Sequence, residues 1–277
     1  MRTVTWTSAC GRPTRRPPAR PSSHPKEITM KIGIIGAGNI GALLATKLGA
    51  AGHDVAIANS RGPETIDPGI LTEGVRAVEA ADAAAGAEVV IVSVPFARIP
   101  DVAGLLSQIP ENVPLIDTGN YYPGRDGRHD AVDAGQVESV WVAQTIGRPL
   151  VKAWNSIGAP SLADKGTEPG AQGRIALPVA ADRDEDRRAA MDLVEQTGFD
   201  AVDAGRLAES WRQQPGAPVY CTDLTRAEVV EGLARADRGR VPKRRDLAWA
   251  AVVERTDDFT TMPDFDWALR LNRVLYR

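Results

Sequence analysis

Cysteine is scarce in this chain. Cys10 and Cys221 are the whole complement, too few for a disulfide framework and not spaced as zinc ligands. Such usage suits a reducing cytoplasm. Long apolar runs are missing as well. The longest, around Val89 to Phe96, falls far short of the ~20 residues that a membrane span needs, so no membrane partner is expected. There is no basic excess either. The formal net charge is −3, whereas a nucleic-acid binder usually carries a basic balance, so nucleic acid is not expected as a partner. The chain has no G-x-S-x-G elbow, no H-E-x-x-H and no phosphate-loop lysine motif, each of which would mark a specific hydrolytic chemistry.

What is present is ordinary globular material. The 277 residues are 43% hydrophobic and 25% charged, enough for a core and for one large domain or two small ones. Residues 1–29 stand apart. They hold five prolines and six basic residues against one acid. This stretch is too poor in apolar groups to offset its ordering entropy, so disorder is expected. It has no apolar segment of the kind a secretory signal needs, and Met30, directly before the first strand, is the expected start of translation.

From Met30 strands and helices alternate. KIGIIG (31–36), DVAIANS (54–60), a short stretch near 76–78, AEVVIVSVP (87–95), 114–117, LVKAWN (150–155), 175–180 and 199–203 read as strands. Helical spacing is found over 39–50, 79–85, 99–106, 137–146 and 185–196. Residues from about 221 are mostly helical, with a charged interruption at RGRVPKRRD (238–246). The order predicts an α/β fold: a Rossmann-like doubly wound parallel sheet with a small C-terminal αβ and helical part. The expected divisions are 1–29, 30–157, 158–220 and 221–277, with the Gly- and Pro-rich 158–173 segment as a boundary.

Gly36-Ala37-Gly38-Asn39-Ile40-Gly41 is G-x-G-x-x-G between a predicted strand and a predicted helix, the context that makes this motif a dinucleotide signal. Gly36 permits the tight turn, Gly38 lets a pyrophosphate approach the backbone, and Gly41 lets the helix pack on the strand. The helix N-terminus offers unpaired N–H groups to the anion. At the end of the second strand an NAD site usually presents a carboxylate to the ribose. Here Asn59-Ser60-Arg61 stands instead. A hydroxyl and a guanidinium suit a 2′-phosphate, so NADP(H) is the expected cofactor, with Thr65 as a further hydroxyl.

Other polar groups fall at the predicted carboxyl ends of strands, where ligands of open α/β sheets bind. Ser93-Val94-Pro95-Phe96 follows the fourth strand, and Phe96 suits either a nicotinamide contact or the core. Asp117-Thr118-Gly119-Asn120 follows the fifth and Asn155-Ser156 the sixth. His53 and His129 read as surface residues, and Lys152 as a salt-bridged or solvated lysine. Asp126 and Asp130 read as loop charges with no metal.

The segments MKIGIIGAGNIGALLATKLGAAGHDVAIANSRGPETI, VSVPFARIPDV and VKAWNSIGAPSL together resemble the deazaflavin-dependent NADP reductase family and the related cytosolic domain of the six-transmembrane metalloreductases. The resemblance spans roughly 30–219. It implies NADP along the first strand–helix turn at Ala37, Gly38, Asn39 and Ile40, its 2′-phosphate at Ser60 and Arg61, and Pro95 and Phe96 beside the nicotinamide. It implies hydride transfer between NADPH and 8-hydroxy-5-deazaflavin (coenzyme F420) or a flavin, with the second ligand near Asn155 and Asn120. No dedicated acid or base is then needed, since both carriers bring their own reactivity. The chain departs from the family by continuing some 55 residues beyond Cys221. Trp249 and Trp267 in that extension suit packing on the core or on a second copy, which leaves a homodimer open. If the extension covers the second-ligand cleft, an acceptor other than the deazaflavin stays open. Two other readings stay open: an NADP-dependent dehydrogenase of a small hydroxyacid or imine, and a non-catalytic NADP-binding redox sensor.

Overall fold

The computed structural model describes residues 29–256 and 264–277. The disorder expected over 1–29 lies outside them, apart from Thr29. Eight strands form one sheet in the order β3-β2-β1-β4-β5-β6-β7-β8. They are β1 (Lys31–Ile35), β2 (Asp54–Ala58), β3 (Val75–Ala77), β4 (Val89–Val92), β5 (Leu115–Asp117), β6 (Val151–Lys152), β7 (Ala176–Ala181) and β8 (Asp200–Asp203). The helices in chain order are α1 (Asn39–Ala50), α2 (Ala80–Ala84), α3 (Ile99–Leu106), α4 (Pro123–Asp126), α5 (Asp130–Asp133), α6 (Glu138–Ile146), α7 (Ala159–Asp164), α8 (Asp184–Gln196), α9 (Arg226–Arg235), α10 (Val241–Thr256) and α11 (Phe265–Tyr276).

The apolar run of β4 has a simple cause. Val89 and Ile91 enter the core on the side of α1 and α8, with Ile32, Leu44 and Leu193. Val90 and Val92 enter the opposite core, with Ile99, Leu106 and Val142 of α3 and α6. A strand covered on both faces is apolar at every position rather than at alternate ones.

The first six strands run parallel, as expected, but β7 is antiparallel to β6. The physical reason lies at the end of β6. Trp154, at φ 54, turns the chain out of a strand that the apolar pattern had extended to 155. A parallel return needs a full crossover. Here α7 packs on α1 instead, and β7 starts beyond the carboxyl end of β6 and runs back beside it. The indole Nε1–H of the buried Trp154 donates to Thr197 Oγ1 at 3.1 Å, which fixes this left-handed residue.

Two further expectations are corrected. His53 is not a surface residue but 2% exposed. Its Nδ1 accepts from the Met30 N–H at 3.1 Å, so Nε2 carries the proton and donates to Gln196 Oε1. The charged stretch 238–246 does not interrupt the helices throughout. Val241 begins α10 within it, and Pro242 is tolerated there because the first helical turn has no N–H bond to lose.

Candidate functional site

Strand order reverses between β1 and β4, and a cleft of about 920 Å³ opens outside the carboxyl ends of β1, β4, β5 and β6. Ligands of open α/β sheets bind at such a switch point. Gly38, Asn39 and Ile40 line one end of it, Ser93 to Pro95 and Thr118 to Asn120 the middle, and Asn155 the far side.

The three glycines of the first turn do three different things. Gly36 has φ +112, and a Cβ there would strike the Ser93 carbonyl. A Cβ on Gly41 would strike the Gly36 carbonyl. A Cβ on Gly38 would meet nothing, so its face is open to a ligand. The first turn of α1 has no side-chain cap and no acid. Its N–H groups and the positive end of the helix dipole are therefore unopposed. Ala37 is half-buried and packs with Ile40 against the core.

Ser60, Arg61 and Thr65 do not line this cleft. They are exposed at the carboxyl end of the neighbouring β2. Asn59 shapes the turn: its Oδ1 accepts from the Arg61 N–H at 2.9 Å and its Nδ2 donates to Thr65 Oγ1 at 2.8 Å. The Thr65 hydroxyl donates in turn to the Gly62 carbonyl at 2.9 Å. The Arg61 guanidinium forms no ion pair with any described residue. Phe96 is not brought to the cleft. Its ring is buried, with centroids 4.5 Å from Trp141 and 5.0 Å from Tyr121. Of its two sequence readings, the core aromatic is the one the structure shows, because the turn that starts at Phe96 points the ring under the sheet.

The middle of the cleft is built on buried charge. Lys152, 1% exposed, places Nζ 2.6 Å from Asp117 Oδ2 and also donates to the Gly119 carbonyl. Asp117 Oδ1 accepts from the Gly119 N–H at 2.9 Å, so both carboxylate oxygens hold the loop rather than a ligand. Beneath it, Glu138 Oε2 accepts from the Tyr121 N–H at 3.1 Å. Burial pushes the Glu138 carboxyl up to about 7, although Lys152 and Arg245 pull it down. Asn120 and Asn155 are likewise committed. Asn120 Nδ2 donates to the Asn155 carbonyl at 2.9 Å, and Asn155 Nδ2 donates to Asn120 Oδ1 at 3.0 Å and to the Gln213 carbonyl at 2.8 Å. Gln213 Nε2 closes the network on Asn155 Oδ1 at 2.9 Å.

The far end comes from residues that the sequence did not single out. Tyr122, Tyr220, Cys221, Phe265, Asn272 and Tyr276 line it with Trp249. The Tyr122 hydroxyl donates to Tyr220 Oη at 2.9 Å. Burial raises both phenols above their ordinary range and pushes the Cys221 thiol up to about 12. None of these groups ionises near neutral pH. Among the described residues no cluster of His, Cys, Asp or Glu is suited to a metal ion, and no helix is long and apolar enough to cross a membrane.

Residues 31–121 match the family described as NADP oxidoreductase, coenzyme F420-dependent. The protein YjhV of Escherichia coli (strain K12) is 43% identical over 93 residues, which are 33% of this chain and 68% of YjhV. The crystal structure of the hypothetical protein SMa0349 from Sinorhizobium meliloti is 31% identical, with a TM-score of 0.60, over 71% of this chain and 96% of that one. This chain belongs to the F420-dependent NADP oxidoreductase family. A provisionally named F420-dependent NADP-reductase from Arthrobacter sp. FB24 shares the fold at 22% identity and a TM-score of 0.56, over 80% of this chain and 94% of that one. Membership implies an oxidoreductase with an NADP(H)-type nucleotide. The residues present fit that group: an open Gly38 face, free N–H groups at α1 and an exposed Arg61 guanidinium that pairs with no described residue.

Proposed function

We propose that this protein is an NADPH-dependent reductase that passes hydride to a planar acceptor ring of the deazaflavin (coenzyme F420) or flavin type. One observation carries the reading. The nucleotide-facing turn and a roomy apolar chamber are two ends of a single cleft, and none of its described lining residues is a carboxylate, an imidazole or a lysine. Hydride exchange between two carriers needs orientation and exclusion of water, and no acid or base from the protein. The bound nucleotide supplies the hydride. Gly38, Asn39 and Ile40 hold its pyrophosphate, and Ser60 and Arg61 take its 2′-phosphate, with Thr65 shaping the turn that presents them. Gly36, Ala37 and Gly41 set the turn itself, and Pro95 lies on the nicotinamide side. Asn120 and Asn155 position the loops between the two ligands. Nucleotide binding belongs to 30–157, and 158–277 forms the acceptor side.

A dehydrogenase of small hydroxyacids or imines is disfavoured by Lys152, which is sealed against Asp117 and cannot meet a substrate. The deciding assay follows deazaflavin absorbance after NADPH is added with F420, alongside FMN and enzyme-free controls. Rapid bleaching supports the reading. Saturable NADPH binding with no bleaching of either ring would overturn it.

A further inference from the structure

The two C-terminal helices border the cleft. Trp249 of α10 and Phe265 of α11 both line it and both keep part of their rings unburied. Each ring is seated on a glycine. A Cβ on Gly124 would run into the Trp249 indole, and a Cβ on Gly158 would run into the Phe265 ring. The Trp249 ring also lies 5.2 Å from Tyr122, tilted by 34°. α11 is tied down at its C-terminal end. Arg273 Nε donates to the Thr222 carbonyl at 2.8 Å, and Arg244 of α10 donates to the Tyr276 carbonyl at 2.8 Å. These helices are therefore a fixed wall of the cleft rather than a loose tail.

The charge of the cleft is as informative as its shape. Arg125 is the single charged side chain among its described lining residues. It is already paired with Asp126 at 2.8 Å. Such a chamber offers aromatic faces and apolar area to a ligand, and offers no free cation to a phosphate or carboxylate.

We infer that α10 and α11 form the ring-binding wall of the acceptor site, with Trp249 and Phe265 gripping a planar ring and no described lining side chain reading an anionic tail. This rests on the reductase reading above and deepens it. In the reaction, NADPH transfers a hydride to the ring, the ring takes one proton from water, and NADP⁺ and the dihydro ring leave. The acceptor is selected by its ring system, so the tail-free nucleoside of a deazaflavin serves as well as its phosphorylated, tail-bearing form.

The test measures ligand fluorescence with the full chain and NADP⁺, using the deazaflavin nucleoside and intact F420. The two dissociation constants should agree within about threefold, and Trp249→Ala should weaken both by about tenfold, the worth of one aromatic contact. Trp249→Phe should restore most of that loss. Phe265→Leu provides a second variant should Trp249→Ala fail to fold, as judged by circular dichroism. Binding of the nucleoside about tenfold weaker than F420, or wild-type affinity in a folded Trp249→Ala protein, would overturn the inference, as would absence of ring binding. Turnover separates the two readings. A ring that binds through Trp249 but is never reduced by NADPH sinks the reductase and leaves the wall. A ring reduced with unchanged KM in Trp249→Ala sinks the wall and leaves the reductase.

Discussion

At one end of the cleft the protein meets its ligand with backbone and with exposed groups; at the other end it does so with side chains resting on buried ones that are hydrogen-bonded or ion-paired to one another. The α1 turn owes its chemistry to Gly38 and to free N–H groups, and Arg61 is exposed and pairs with no described residue. The loops after β5 and β6 owe theirs to Lys152, Asp117, Glu138 and Gln213, all of them buried. The difference separates two costs. A group without protein partners can be lost with little harm to the fold, so its loss appears in affinity. A group that satisfies buried neighbours cannot be lost without stranding them, so its loss appears in stability.

The largest expected effect lies at the buried end. Lys152→Met leaves the Asp117 carboxylate in the interior without its cation, and should lower the unfolding free energy by ~3–5 kcal/mol in a urea titration. A loss under about 1 kcal/mol would break the contrast. Glu138 gives the same end a pH signature. Its carboxyl is raised from 4.5 to about 7 in the folded protein, so the native state keeps a proton that the unfolded chain releases. Stability from this group is full below the unfolded value and is lost as pH rises through the folded one, by ~3 kcal/mol at the limit. Glu138→Gln keeps the acceptor for the Tyr121 N–H and should flatten the change between pH 5 and pH 8; an undiminished slope would move its origin elsewhere.

The exposed end should respond in the opposite currency. Arg61→Ala should weaken NADPH by about 10- to 100-fold, the worth of a charged hydrogen-bonded contact. NADH affinity and the melting temperature should hardly move. Equal weakening of both nucleotides would remove the 2′-phosphate assignment, and a large drop in melting temperature would erase the distinction between the two ends. The smallest effect belongs to Thr65→Val. It removes the hydroxyl that joins Asn59 to Gly62 and should cost about 1 kcal/mol of NADPH binding at most, read by calorimetry.

The same contrast explains what could be read in advance. The strands β1, β2, β4 and β5 and the helix α1 follow from local runs and spacing, and the glycine turn is contiguous, so its geometry is written in six adjacent residues. The reversal of β7 was not legible. It depends on Trp154 adopting φ 54 against a β-favouring sequence, a choice made by Thr197 43 positions away. His53 looked like a loop histidine because its partners, the Met30 N–H and Gln196, are distant in sequence. Phe96 has a sequence position that suits a ligand contact, yet its ring joins Trp141 and Tyr121. The aromatic end of the cleft draws on Tyr122, Tyr220, Trp249, Phe265 and Tyr276. No local pattern brings these together; only the packing of α10 and α11 against the loops at Gly124, Gly158 and Thr222 does.

Gly124 carries a consequence for reading other genomes. It sits in the short exposed helix α4 with no positive φ that would demand glycine, and alanine there would favour the helix by about 1 kcal/mol. The Trp249 ring fills the space that a side chain would take. A homologue without the C-terminal helices has no reason to keep that vacancy. Glycine at this position, paired with a tryptophan some 125 residues downstream, is thus a two-letter signature by which closed-cleft members could be sorted from open ones in an alignment, before any of them is expressed.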